Sequence, residues 1–290
     1  MSLELRQPSR LDPAQQESLL SLVQTATETD QSGPLNEEAL LRLDDPSRTH
    51  LVAEVDHQLA GYAQHDPGSA SSQLVVHPHH RRRGLGRALL ERLLAAAPAT
   101  AVWAFGDGEP AQRLLSAYGF APQRRLLVLH RALDPGLTRP GTPPGVVIRG
   151  FQPGDETAVL AVNAAAFADH PEQGRLDLPG LRQRMAQDWF DPAGLLLALG
   201  PDQAPLGLHW TKRHSAELGE VYVIGVTPRA TGQGLGRTLL DTGLAYLAST
   251  GCREVQLWVE ADNEAAVGLY RSSGFTVAHS DVCYARKETL

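Results

Sequence analysis

Apolar positions run through the same order twice along this chain. Leu51-Val-Ala-Glu-Val55 and Leu195-Leu-Leu-Ala-Leu199 are short apolar runs that predict strands. Each is followed by a turn and a glycine, Gly61 or Gly207, that opens a further strand. Leu85, Leu89, Leu90, Leu93 and Leu94 share one face at helical spacing, and Leu235, Leu239, Leu240, Leu244 and Leu247 repeat it. Strands are then predicted over Ala101–Phe105 and Val255–Glu260. The second alternates, with Val255, Leu257 and Val259 opposite Gln256, Trp258 and Glu260. A last helix in each copy stops at Gly119-Phe120 or Gly274-Phe275. Elements in this order predict an α/β (α+β) fold, with each copy a twisted, mostly antiparallel mixed sheet flanked by helices.

The copies meet at a stretch rich in proline and glycine, Leu133 to Pro144, which can sustain neither a helix nor a central strand. The expected organisation is a domain over residues 1–133, a linker over 134–145 and a second domain over 146–290. Each is close to the common domain size of about 100–150 residues. Leu5-Arg6 and Ile148-Arg149 give both domains a strand-like start, followed by a proline and an acidic, helix-forming segment.

The most informative repeat lies between the third strand and the long helix. Val76-His-Pro-His-His-Arg-Arg-Arg-Gly-Leu-Gly-Arg87 is echoed 150 residues later by Val226-Thr-Pro-Arg-Ala-Thr-Gly-Gln-Gly-Leu-Gly-Arg237. A strand running into a glycine loop and a helix N-terminus makes an anion site. Bare backbone N–H groups there meet the positive end of the helix dipole. Two such sites point to two related domains, each suited to a phosphate-bearing ligand.

A net charge of −7 argues against a general nucleic-acid binder. Met-Ser-Leu-Glu-Leu-Arg at the start lacks a signal-peptide apolar region, and the longest apolar run, Leu195–Leu199, is far too short for a membrane span. Cys252 and Cys283 form no CxxC pair, so reduced thiols in a cytoplasmic protein are expected.

The pattern Val-x-Pro-x-x-x-x-x-Gly-x-Gly, followed by Asn263, Ala266, Tyr270, Gly274 and Phe275, resembles the GNAT superfamily of acyl-CoA N-acyltransferases. A narrower resemblance, to the tandem-domain mycothiol synthases of actinobacteria, covers nearly the whole chain. It is carried by Asn163 to Gly174, Trp189 to Gly194, Leu208-His-Trp-Thr-Lys212 and Leu218 to Val226. The resemblance implies acetyl transfer from acetyl-CoA to the cysteinyl amine of desacetylmycothiol, a cysteine–glucosamine–inositol conjugate, with no metal. It also implies a monomer with neither a nucleic-acid nor a membrane partner.

Acetyl transfer to an amine needs a neutral amine, a polarised thioester carbonyl and a protonated leaving thiolate. A free α-amine, near pKa ~7.7–8.0, is mostly protonated at neutral pH, so a base assists. By resemblance Glu220 is that base, acting through a water; an exposed strand-end carboxylate is the other reading. Tyr270 is the implied proton donor to the thiolate, or else a tyrosine packed between helix and sheet. Gly225 marks an expected strand bulge that frees backbone N–H groups of Ile224, Gly225 and Val226, unless it is a packing glycine. Thr231, Gly232, Gln233, Gly234, Leu235, Gly236 and Arg237 are expected to cradle the CoA pyrophosphate. The superfamily usually has Gln or Arg where Thr231 stands, and Gln233 or Arg229 could compensate. Asn263, with Ala266 after it, is expected on the pantetheine arm and is equally a helix cap. For the acceptor the resemblance implies Glu37, Glu172, Lys212, Glu220 and Trp258. The competing readings are a solvated surface for Glu172 and Lys212, core for Trp258 and a polar helix start for Glu37.

In the first copy Leu74, Val75 and Val76, then Arg81, Arg82, Arg83, Gly84, Leu85, Gly86 and Arg87, are the matching candidates for acetyl-CoA. Aligned at the repeat, Ala70 stands for Glu220, Leu115 for Tyr270 and Gly108 for Asn263. The first domain is therefore expected to bind acetyl-CoA or CoA without catalysing. The His77–Arg83 cluster reads as a basic approach to the CoA phosphates. Two other functions stay open: a tandem GNAT enzyme acting on another small amine or a peptide N-terminus, and a non-catalytic acyl-CoA sensor.

Overall fold

The computed structural model describes residues 3–168 and 173–286. The first half of the chain forms β1 (Leu3–Arg6), α1 (Pro13–Asp30), α2 (Glu37–Leu41), β2 (Thr49–Val55), β3 (Gln58–Asp66), β4 (Ser71–Val76), α3 (Leu85–Ala96), β5 (Ala101–Ala104), α4 (Glu109–Ala117) and β6 (Phe120–Ala132). The second half forms β7 (Val147–Gly150), α5 (Glu156–Ala166), α6 (Leu178–Met185), β8 (Leu195–Leu199), β9 (Pro205–Arg213), β10 (Leu218–Val226), α7 (Leu235–Ser249), β11 (Glu254–Glu260), α8 (Glu264–Ser272) and β12 (Thr276–Arg286). Residues 133–146 carry neither helix nor strand.

Two compact units result, and neither is one consecutive segment. The first contains residues 3–127, 260–262 and 279–286; the second contains 128–168, 173–259 and 263–278. In the first unit β1, β2, β3 and β4 pair antiparallel, and β5 joins β4 in parallel. The end of β12 then pairs antiparallel with β5 through Val282↔Ala104, Cys283↔Trp103 and Tyr284↔Val102. Val282 and Tyr284 are buried in one core with Leu89, Leu90 and Leu93 of α3. The Tyr284 hydroxyl donates to Asp107 at 2.6 Å, and Asp281 accepts from the Gly106 N–H at 2.8 Å. In the second unit Val128 and Leu129 of β6 are fully buried, and the Leu133 N–H donates to the Arg253 carbonyl at 2.7 Å. The two halves of the chain thus differ from the compact units in these strands. Alternation tells a strand which face to bury, whereas its neighbour is chosen by hydrogen bonds to a distant segment.

In the second unit β7, β8, β9 and β10 pair antiparallel and β11 joins β10 in parallel. The leucine face of α7 is buried as its spacing predicts, with Leu235, Leu239, Leu240, Leu244 and Leu247 at most 2% exposed. Across the sheet, Val159 and Val162 of α5 and Leu181 of α6 pack on Leu195, Leu197, Leu208, Trp210 and Val223. Gly207 and Gly219 let α7 close on the sheet, since a Cβ at either would come within 2.8 Å of Leu239 or Leu247.

The tightest point beneath α7 is His209, fully buried, whose Nδ1–H donates to the Leu239 carbonyl at 2.8 Å. Gly243 lies against its ring, where a Cβ would stand 2.1 Å from a ring atom. Gly243→Ala therefore lowers stability by about 1–3 kcal/mol through overpacking, against the gain of up to about 1 kcal/mol that helix propensity alone gives. The shift of the urea midpoint measures it. Burial also pushes the His209 imidazole down to about 4. An unfolded histidine, near 6.5, binds its proton first, so this group's stabilisation is present above pH 6.5 and lost as pH falls through about 4. That loss is roughly 3 kcal/mol and appears as unfolding free energy falling over that window, less steeply in His209→Gln.

Candidate active site

The second unit opens a wedge in its own sheet. β10 stays paired with β9 as far as Val226↔Gly207, while its parallel ladder with β11 runs only from Leu218↔Glu254 to Glu220↔Gln256. Glu220 occupies the last rung before the strands part. Backbone groups on the β11 side of β10 beyond that rung face the opening. An antiparallel edge can spare them only where something else satisfies them.

A bulge then sets which side chains face the opening. Val221 pairs with Thr211 and Val223 with Trp210, so Tyr222 is an extra residue on β10. Lys212 and Glu220 before it, and Val223 and Gly225 after it, all face α5 and α6, whereas strict alternation would turn Gly225 toward α7. The bulge expected at Gly225 thus lies at Tyr222. Gly225 is a packing glycine, because a Cβ there would meet Ala166 at 2.7 Å and the Phe167 ring at 3.2 Å. The run Val221-Tyr-Val-Ile224, apolar at four consecutive positions, is the signal in the sequence that alternation fails here.

Glu220 is 7% exposed, and its Oε2 lies 2.5 Å from Nε2 of His214. Lys212, directly across the ladder, holds its ammonium 4.9 Å from the Trp189 ring centre and 5.3 Å from that of Tyr222. Cation–π attraction at both rings keeps this long side chain extended over the aromatic surface. Arg184 Nε donates to the Tyr222 hydroxyl at 2.8 Å and fixes one of those rings. Trp258, two residues beyond Gln256 and so on the same face, is 39% exposed. Lys212, Glu220 and Trp258 are thereby brought together. His214, Trp189 and Arg184 join the group without a motif in the sequence that singles them out. Glu37 stands in the first unit, in the opening turn of α2 behind its cap Asn36. Glu172 lies outside the described residues.

After β10 the chain makes a short turn and enters α7 through Gly232 and Gly234, both with φ near +78°. Thr231, Gly232, Gln233 and Gly234 are exposed, and the N-cap, Gly234, brings no side chain to the first helical N–H groups. Gly236 has an ordinary helical conformation, and a Cβ there would meet no protein atom within 4 Å. Nothing inside the protein requires glycine at that point, which fits an anion held close against the backbone. The side chains of Leu235, Ile224 and Val226 are committed to the core, so only their backbone is available. Arg237 donates to the hydroxyls of Ser272 and, at 2.5 Å, Ser273. It joins α7 to the negative end of α8. Its expected role on the ligand is thus left to its backbone N–H.

Asn263 caps α8 by accepting the Ala266 N–H at 3.1 Å. Further along, Tyr270 is 7% exposed, its ring 5.8 Å from that of Phe275. Burial pushes its phenol up to about 12, so it keeps its proton at neutral pH. Among the described residues no three His, Cys, Asp or Glu side chains group as metal ligands, and no helix is long and apolar enough to cross a membrane.

Residues 163–275 match the family model described as acetyltransferase (GNAT) family, and residues 46–122 that of the acetyltransferase (GNAT) domain. The mycothiol acetyltransferase of Thermomonospora curvata is 49% identical over 273 residues, with 92% of either chain covered. That of Streptomyces griseus is 46% identical over 94% of this chain and 92% of its own. The chain belongs to the mycothiol acetyltransferase family. Among solved structures, a GCN5-related N-acetyltransferase from Sphaerobacter thermophilus superposes with a TM-score of 0.71 at 26% identity, covering 97% of this chain and 94% of that one. A tandem GNAT protein from the clavulanic acid biosynthesis pathway gives 0.72 at 21% identity over 98% of both, a likeness of fold.

In this family member the first GNAT domain repeats the wedge without the carboxylate. Its β3–β4 ladder runs unbroken from Asp66↔Ser71 to Gly61↔Val76, and β4 pairs with β5 only at Ser71 and Ser72. No residue corresponds to the bulged Tyr222, so the rung of Glu220 falls on Ser71, one position beyond the expected Ala70. Ser72, His65 and Thr100 bond one another at 2.8–3.1 Å and close the apex. Leu115 is core, and Gly108 starts α4 with no side-chain cap. Arg81 is committed internally, with a bidentate pair to Asp30 at 2.7 Å and a bond from Nε to the Val76 carbonyl. Arg82 takes the left-handed conformation (φ +62°) that Gly232 takes in the second loop. Gly84 caps α3 as Gly234 caps α7, and Arg87 pairs with Glu91 on the helix surface. Leu85 and Val75 are core side chains, while Arg83, Gly86, Leu74 and Val76 are at least partly accessible.

The contrast between packing and ligand glycines yields a direct test. Gly236→Ala should leave the unfolding midpoint unchanged or raise it, by up to about 1 kcal/mol, while raising the KM for acetyl-CoA. A fall in stability with an unchanged KM would assign Gly236 to packing instead.

Proposed function

We propose that this chain transfers acetyl from acetyl-CoA to the cysteinyl amine of desacetylmycothiol, giving mycothiol and CoA, and that the second unit performs the chemistry. The observation that carries this reading is the buried Glu220 carboxylate at the last rung of the β10–β11 ladder, on the face shared by Lys212 and Trp258. The substrate follows the mycothiol acetyltransferases at 42–49% identity over at least 92% of this chain.

Acetyl-CoA supplies an activated thioester. The backbone N–H groups of Gly232 to Arg237 hold its pyrophosphate at the N-terminus of α7, and those of Ile224 to Val226 serve the pantetheine and thioester. Glu220 takes the proton that keeps the amine from attacking, a water carrying it where the two do not touch. Tyr270, held protonated by burial, gives its proton to the departing sulfur, whose own desolvation in the same surroundings raises its affinity for that proton. Lys212 and Glu172 bind acceptor hydroxyls, the Trp258 face suits a sugar ring, and Glu37 contributes to the same acceptor. The first unit binds acetyl-CoA or CoA through its own glycine loop and does no chemistry. The protein works as a cytoplasmic monomer, two fused domains replacing the pair that single-domain relatives assemble.

Mass-spectrometric detection of N-acetylated product tests the reading, because the acceptor's own thiol obscures thiol-release assays. Wild type forms mycothiol, Glu220→Gln lowers kcat by about 10²–10⁴-fold, and Tyr270→Phe lowers it as well. Acetyl-CoA binding without any product from pure desacetylmycothiol would contradict the assignment of the acceptor.

A further inference from the structure

We infer that His214 is the positioning residue for Glu220, holding the carboxylate by one oxygen so that the other is presented to the amine. The inference rests on the reading of Glu220 as the base. His214 is the first residue of the β9–β10 hairpin, and the turn that carries it is tied at both ends. The His214 N–H donates to the Leu218 carbonyl at 2.9 Å, and Ser215 Oγ accepts from Glu217 N–H at 3.2 Å and Leu218 N–H at 3.0 Å. The imidazole thus projects from a fixed backbone, two residues past Lys212 and on the same face of the sheet.

From there Nε2 reaches Oε2 of Glu220 at 2.5 Å. An ionised carboxylate only accepts, so the ring nitrogen is the donor. The Glu220 side chain is 10% exposed and that of His214 is 32% exposed. A charge this buried needs a donor to offset its lost hydration, and a short bond to a partly solvated ring provides one. Lys212 lies across the ladder, but its ammonium sits over the Trp189 and Tyr222 rings. Holding Glu220 therefore falls to the hairpin. A carboxylate without that anchor rotates about its side-chain bonds, and a displacement of about 1 Å is enough to cost about 10²-fold in rate.

Steady-state kinetics of the full chain with desacetylmycothiol and acetyl-CoA test this, using His214→Leu, His214→Gln, His214→Asn, Glu220→Gln and the His214→Leu/Glu220→Gln pair. His214→Leu should lose about 10²-fold in kcat with the KM for acetyl-CoA unchanged. His214→Gln, whose amide donates at similar reach, should recover most of that loss. The double variant should fall no lower than Glu220→Gln alone, because removing the base leaves nothing to position. If His214→Leu fails to fold, His214→Asn carries the test: its shorter amide cannot reach Oε2 and should lose as much. Full kcat in the folded His214→Leu or His214→Asn, with Glu220→Gln inactive, would overturn the role of His214 and leave Glu220 as the base. Full activity in Glu220→Gln would instead remove the reading on which the inference stands.

Discussion

The parting of β10 from β11 after Glu220 is the constraint on which the rest of the site depends. A strand that leaves one neighbour while keeping the other exposes a row of backbone donors and acceptors along one edge. Such an edge is stable only beside water or a ligand. The ladder to β9 holds β10 straight through this stretch, and the bulge at Tyr222 compensates for the extra residue on one strand. The same bulge keeps Glu220 and the aromatic surface under Lys212 on one face. Divergence provides the space, and the bulge decides which side chains look into it.

The first unit shows what the device becomes without a catalytic side chain. Its strands part after the same rung, yet Ser72, His65 and Thr100 bond to one another there and no carboxylate is present. Both glycine loops survive, and in both the adjacent arginines turn inward, Arg81 to Asp30 and Arg237 to the end of α8. Anion recognition in this fold thus rests mainly on backbone N–H groups and helix N-termini. That is compatible with a chain whose net charge is −7.

Much of this was legible in the sequence, because periodicity reports burial directly. The leucine faces of α3 and α7, the alternation of β11 and the glycines that begin or end helices all stand where spacing places them. What failed to show was whatever depends on a partner remote in sequence. Nothing local in Val282 or Tyr284 says that they bury beside Leu89 and Leu93. Gly225 reads equally as a bulge or a packing glycine until Ala166 is seen against it. The bulge also displaced the comparison of the halves by one rung, from Ala70 to Ser71, since counting residues assumes that both strands are regular. His214 carries no motif, and only the hairpin brings it to Glu220.

A structure of the full chain with acetyl-CoA bound tests the central claim most directly. The account predicts the pyrophosphate on the backbone of Gly232 to Arg237 and the acetyl group in the wedge between β10 and β11, beside Glu220. An acetyl group found only in the wedge between β4 and β5, beside Ser71, would contradict it and move the chemistry to the first unit.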